Sequence, residues 1–403
     1  TDVAVLGGGP AGLGLATELA ARGARVACID PEPESAWDQQ FASFLDDWSP
    51  AYQRCVHARW AAPSVVTSRR HHVLDRCFAL LDNEALHATM MRHAEEGDVQ
   101  FVADRARDVE HASIRSTVTL SSGERIEARM VVDATGTGHL LDRPAHGPLA
   151  AQVGFGKLIE VDRHPFRCGE MALIDYRPIP DGESLPTFLY ALPLDFNHLF
   201  VEETSLISTV PVSRAMLERR LDARLQRLGI ADARVVRTTK THVPLTRALP
   251  SRDQRTLGYG AAASMVHPAT GHHIARVLAR APAVAQTLVD QLDKAASLDD
   301  ASRAVWQAIW PRDDVRKWEL YNFGARFLFH LDQDRTERFF DAFFSLPSAD
   351  WGGFFSASLT STQLAGVMSR VFARLDPALR WDLMRMSAGS NATVNPLRPA
   401  LAM

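Results

Sequence analysis

The run Asp2-Val3-Ala4-Val5-Leu6-Gly7-Gly8-Gly9-Pro10-Ala11-Gly12-Leu13 decides the fold. Residues 2–6 read as a buried strand, the glycines as a turn, residues 13–22 as a helix, and 25–30 as a second strand closed by Asp30. In such a unit Gly7 permits the tight turn, Gly9 lets backbone approach a pyrophosphate, and Gly12 allows close helix–strand packing. The helix N-terminus then faces the phosphates, and Asp30, 18 positions after Gly12, accepts from ribose hydroxyls. A Gly-rich turn of purely structural use would not need this surrounding strand–helix–strand order. The N-terminal position and the Gly9-Pro10-Ala11-Gly12 string favour FAD over NAD.

Outward from this unit, the chain of 403 residues is long enough for two or three packed units. Its hydrophobic content of 46%, charged content of 23% and net charge of −4 are those of a globular protein, with no basic surface for nucleic acid. Cys28, Cys55, Cys77 and Cys168 have no metal-binding spacing, so no metal is expected. Reduced thiols and the absence of a leader in these residues point to the cytoplasm. No apolar run reaches the length of a membrane span.

Residues 130–136, Met-Val-Val-Asp-Ala-Thr-Gly, form a second strand running into a turn at Thr135 and Gly136. A helix is expected from Asp82 or Asn83 to Glu95, and a hairpin turns at residues 121–124. Residues 257–271 lead through Met265-Val266-His267-Pro268-Ala269-Thr270-Gly271 into a helix over 272–292. Backbone amides at such a helix start can stabilise an anionic reduced flavin. Beyond residue 297 the chain is helical and aromatic, with nine of its nineteen phenylalanines between Phe323 and Phe355. That segment is either a helical core or the lid of a lipophilic tunnel, and both allow peripheral membrane contact. The tail from Ser387 reads as frayed.

Between these lies Phe188-Leu189-Tyr190-Ala191-Leu192-Pro193, a turn at 195–198, and Phe200-Val201-Glu202-Glu203-Thr204-Ser205. Neighbouring strand residues point to opposite faces, so an unbulged strand sends only one of Glu202 and Glu203 into any one pocket. Two readings stand at this point. Either this is an exposed edge strand with solvated acids, or one glutamate enters an apolar cavity and keeps its proton at neutral pH.

Taken together, these strings resemble the plant and cyanobacterial type of lycopene cyclase. The resemblance covers nearly the whole chain: Gly7 to Leu13, Ile29-Asp30-Pro31, Val132 to Gly136, His164-Pro165-Phe166, Pro186 to Pro193, Phe200 to Leu206, Met265 to Gly271, and Arg338 to Phe344. It implies an α/β fold. A Rossmann-type FAD-binding domain (1–45, 80–150, 250–295) would carry an inserted antiparallel-sheet substrate domain (46–79, 151–249) and a C-terminal helical, aromatic-rich region (296–403). FAD would be held by Gly7, Gly9, Pro10, Ala11, Gly12, Asp30, Pro31, Thr135, Gly136, Pro268, Thr270 and Gly271, and kept reduced by NADPH or another reductant. The implied reaction is redox-neutral: an acid protonates a terminal alkene of a linear polyene, and the cation closes a six-membered ring. Glu202 is the implied acid, Glu203 its support, and His267 a positioning group or proton acceptor.

The chain departs from the family at Gln39 to Phe44, Phe78 to Asn83, Thr246-Arg247, Phe323 to Arg326 and His272. If Arg247 or Arg326 lined the tunnel, it would pair with a carboxylated polyene rather than a hydrocarbon. Competing functions are a cyclase of a polar polyene or terpenoid, a flavin monooxygenase or other oxidoreductase, and a non-catalytic polyene-binding flavoprotein.

Overall fold

The computed structural model describes residues 1–389 apart from 146, 148, 182 and 183, so the tail beyond 389 lies outside the described residues. Its first sheet is parallel and five-stranded, in the order Leu257–Gly258, Met130–Asp133, Val3–Leu6, Val26–Asp30, Gln100–Ala103. Val3–Leu6 is central and buried at all four residues, which is why it reads as an unbroken apolar run. Val3 and Val5 face the helices Pro10–Ala20, Asn83–Glu96 and Ile274–Lys294. Ala4 and Leu6 face a three-stranded antiparallel sheet of Ala106–His111, Ser116–Leu120 and Arg125–Ala128. Asp82 is the cap of the helix Asn83–Glu96, accepting from Ala85 N–H at 3.0 Å. The Asn83 side chain instead donates to the carbonyls of Trp37 and Gln39.

The second large sheet has seven strands, in the order Arg234–Pro244, Ala151–Glu160, His198–Ser205, Thr187–Pro193, Glu170–Asp175, Ala62–Val66, His71–Val73. It is antiparallel except where Glu170–Asp175 runs parallel to Ala62–Val66. One face packs on the helix Arg214–Arg227 through Val201, Leu199, Leu217 and Leu221. The other packs on the C-terminal helices through Phe188, Phe200, Phe340 and Phe344. His198–Ser205 is bonded on both sides, to Ala151–Glu160 and Thr187–Pro193, so the exposed-edge reading is wrong. Its acids are buried because the neighbouring strands and both covering layers close over them.

A small sheet of Ala42–Phe44, Phe78–Leu81 and Val56–Trp60 joins the two halves. The boundaries expected at 45/46 and 79/80 fall within its span, where strand 78–81 pairs with both 42–44 and 56–60. The C-terminal helices Arg312–Leu328, Gln333–Phe344, Ser348–Phe355, Ser361–Arg374 and Pro377–Gly389 follow the helix Leu298–Ile309. Among the described residues no helix is long and apolar enough to cross a membrane. All four cysteines are free thiols.

Candidate active site

Strand pairing fixes what surrounds the two acids. Glu202 stands opposite Tyr190 on one side and Gly156 on the other, and these three share the face that meets the C-terminal helices. Glu203 stands opposite Leu189 and Phe155 on the far face, against the helix Arg214–Arg227. There Arg224 grips both carboxylate oxygens, Nε to Oε2 at 3.0 Å and Nη2 to Oε1 at 3.2 Å. Thr187 Oγ1 donates to the same carboxylate and accepts from Arg220 Nη1 at 2.8 Å. Glu203 is thus one corner of a buried ion-pair network, wholly out of solvent.

Among the described residues no cation is paired with Glu202. Its carboxyl accepts from Thr241 Oγ1 at 2.5 Å, and burial pushes its pKa up to about 7 against the smaller, opposite pull of that hydroxyl. To reach Thr241 the side chain leans across Gly154, where a Cβ would lie 2.5 Å from Oε1. Glycine at 154 is therefore a requirement of the acid's position. Sequence reasoning missed Gly154 and Thr241. The available signal was the Gly154-Phe155-Gly156 pattern inside a strand, which marks a close approach of some other group.

On the nucleotide side, Gly12 packs so tightly that a Cβ would sit 2.0 Å from the Gly7 carbonyl. Gly9 is the helix cap, Pro10 the first helical residue, and Ala11 abuts Gly260. At Gly9 and Gly136 an added Cβ would meet nothing, so both turns present bare backbone to open space. The first turn of Pro10–Ala20 leaves amides without intrahelical partners beside that space. Asp30 accepts from Gly8 N–H at 2.7 Å and Glu32 N–H at 2.9 Å, holding the turn against the second strand, and Pro31 is exposed beyond it. Asp133 fixes the other turn by accepting from the Thr135 amide and hydroxyl. An anionic dinucleotide such as FAD suits these free amides and uncovered glycines.

The turn 267–271 separates two cavities. An apolar one of about 650 Å³ is lined by Ala269, Thr270 and the phenylalanines of the C-terminal helices. A more polar one of about 490 Å³ is lined by His267, Gly271, His272, residues 39–43, and Arg276 and Arg280. Pro268 is buried between them, and Thr270 Oγ1 accepts from His272 N–H at 3.2 Å. His267 bonds through both ring nitrogens: Nε2 donates to Phe354 O at 3.0 Å and Nδ1 accepts from Ala269 N–H at 3.2 Å. Burial, aided by Arg276, pushes its pKa down to about 3, so the ring is neutral and both nitrogens are occupied. His267 is built to hold the turn.

Ring contacts link this turn to the acid. His272 lies 5.9 Å from Phe78, Phe78 lies 6.5 Å from Tyr190, and Tyr190 is the residue opposite Glu202. Gly271 also abuts Gln152 and Val243, and Val243 is two residues from Thr241 on one strand. Glu202 and the 267–271 turn therefore share one neighbourhood, whereas Glu203 is screened from it by the sheet. Arg247 donates to the carbonyls of Thr137 and Gly136, and Arg326 is exposed, so neither lines the apolar cavity.

Known proteins share the fold. A protein of known structure, a geranylgeranyl bacteriochlorophyll reductase-like protein from Thermoplasma acidophilum, shares the fold with a TM-score of 0.71 at 15% identity, covering 96% of this chain and 98% of its own. A mutant of the halogenase PltM in complex with FAD matches with a TM-score of 0.63 at 12% identity, covering 98% of this chain and 92% of its own. The architecture is thus that of FAD-binding flavoproteins. The lycopene beta cyclase of an Oncidium hybrid cultivar, described as chloroplastic, is 34% identical over 95% of this chain and 83% of its own length. With the family model "Lycopene cyclase protein" matching residues 2–378, the chain belongs to the lycopene cyclase family.

Proposed function

We propose that this chain is a redox-neutral, FAD-dependent cyclase of a lycopene-like polyene, with Glu202 as its general acid. The observation that carries the proposal is a carboxyl buried without a cation and held by one hydroxyl, which keeps its proton near neutrality. Protonating an alkene carbon requires such a dry acid. The proton adds to the terminal alkene, the resulting tertiary cation is attacked by the next alkene, and proton loss leaves a six-membered ring of unchanged mass. Gly7, Gly9, Gly12, Asp30, Thr135, Gly136 and Gly271 would hold FAD; reduced FAD supplies electron density that offsets the developing positive charge. NADPH or another reductant would keep it reduced. Glu203 supports the acid by anchoring the shared strand to Arg224, and His267 sets the turn between the cavities.

The apolar cavity suits a hydrocarbon chain, and the positions of Arg247 and Arg326 favour a hydrocarbon over a carboxylated polyene. Trp381 and Met384 stand exposed on the last described helix, 59% and 48%, and Met384 also lines this cavity. A cytoplasmic protein touching a bilayer through this edge would receive its substrate there. The test is anaerobic incubation of lycopene with the chain, FAD and reductant. A cyclised product of unchanged mass, with no reductant consumed per turnover, is expected; a requirement for oxygen and stoichiometric reductant would instead make the chain a monooxygenase.

A further inference from the structure

The polar cavity is bounded by an unbalanced set of buried charges. Arg276, Arg280 and Lys317 all converge on the single carboxylate of Asp314. Lys317 Nζ stands 2.6 Å from Oδ1, Arg276 Nη2 is 3.5 Å from Oδ2, and Arg280 bonds the same oxygen. All four side chains are largely buried, with Asp314 at 6% and the arginines at 23% and 22% exposure. Three cations on one anion leave two positive charges in a low-dielectric wall, which is costly without a counter-charge.

Among the described residues no other carboxylate forms an ion pair with Arg276, Arg280 or Lys317, and the neighbouring Asp313 is bonded to Ser361. Asp47 also lines the cavity, but it accepts from Ser43, Ser356 and Arg76, and Arg76 is shared with the exposed Asp46. Glu18, on the helix packed against Ile274–Lys294, pairs with Arg22. Lys317 is turned towards the Ala357 carbonyl, and Arg280 towards that of Ile309. Arg276 and Arg280 are the two cations of the group that line the cavity itself. They stand on the helix whose N-terminus already favours negative charge.

We infer that Arg276 and Arg280 form an anion seat whose ligand is the negatively charged, reduced flavin. This rests on the flavin reading above and adds what sets the cofactor's charge state. The pair would bind reduced FAD more tightly than oxidised FAD and keep the reduced ring ionised at N1. That is the form with most electron density to offer a nearby cation.

The test uses the full chain loaded with FAD. Removing one charge by Arg276→Gln or Arg280→Gln is expected to weaken reduced FAD relative to oxidised by about tenfold, which lowers the two-electron potential by about 30 mV. Arg276→Lys and Arg280→Lys should stay near the parent potential. In the unaltered chain, absorbance titration of the reduced flavin should show N1 ionising at a lower pH than in free reduced FAD, a readout that needs no variant to fold. Glutamine variants that bind FAD with the parent potential, or an N1 titration equal to that of free FAD, would overturn the assignment. A chain that takes up no FAD at all defeats the flavin reading itself, which the potentials do not address.

Discussion

The two faces of the seven-stranded sheet treat identical carboxyl groups in opposite ways. Glu203, on the helix 214–227 side, is clamped by Arg224 and enmeshed with Thr187 and Arg220. Glu202, one residue earlier and on the other side, meets aromatic rings and a lone threonine. One environment matches a charge; the other discourages one. Strand alternation alone separates them: it places Glu203 in an ion pair and leaves Glu202, the proposed acid, facing aromatic rings and one hydroxyl.

The sharpest way to break this contrast is Glu202→Gln. Reduced-FAD-dependent cyclisation should fall by about three orders of magnitude while FAD uptake is unchanged, measured by anaerobic product analysis and flavin fluorescence. Undiminished turnover would return the acid role to some other group. On the far face Arg224→Met should leave Glu203 buried and unpaired and cost about 3–5 kcal/mol of stability, read by urea unfolding. The double variant Arg224→Met with Glu203→Leu should recover much of that loss, since a matched apolar pair replaces a broken ionic one.

A pH experiment sharpens the same contrast. Glu202 has a folded pKa raised to about 7, so between the unfolded carboxyl value and 7 the unfolded chain loses its proton first. Stability should therefore decline with rising pH across that window, by about 3 kcal/mol in total, and level off above it. Glu202→Gln should remove this slope and make the chain more stable than its parent at pH 8, an unusual outcome for a substitution expected to remove activity. The smallest expected effect belongs to Thr241→Val. Its hydroxyl lowers the pKa of Glu202, so its loss should move the alkaline limb of the activity profile up by about one pH unit.

Much of this architecture was legible in local sequence. Residues 2–30 carry their own strand, turn and helix signals, and the apolar run 3–6 announced a strand covered on both faces. The alternation of Glu202 and Glu203 was also local. What local patterns did not carry was pairing. An isolated acidic strand looks the same at the edge of a sheet as in its middle, and only the register against 151–160 and 187–193 buries it. Thr241 and Gly154 belong to other strands, and Arg224 to a helix 21 positions beyond Glu203. The Asp314 cluster escaped for the same reason, because Arg276 and Arg280 look like the polar stripe of an amphipathic helix until the segment 312–328 covers them.

Gly154 has a consequence for anyone wishing to move this chemistry elsewhere. The proposed acid is encoded on one strand, the room it occupies on a second, and the hydroxyl bonded to it on a third. Transplanting the Glu202 strand into another flavoprotein sheet would import the acid without its berth. A minimal graft must take Gly154 and Thr241 along with it, so the unit of inheritance here is a three-strand patch rather than a linear string.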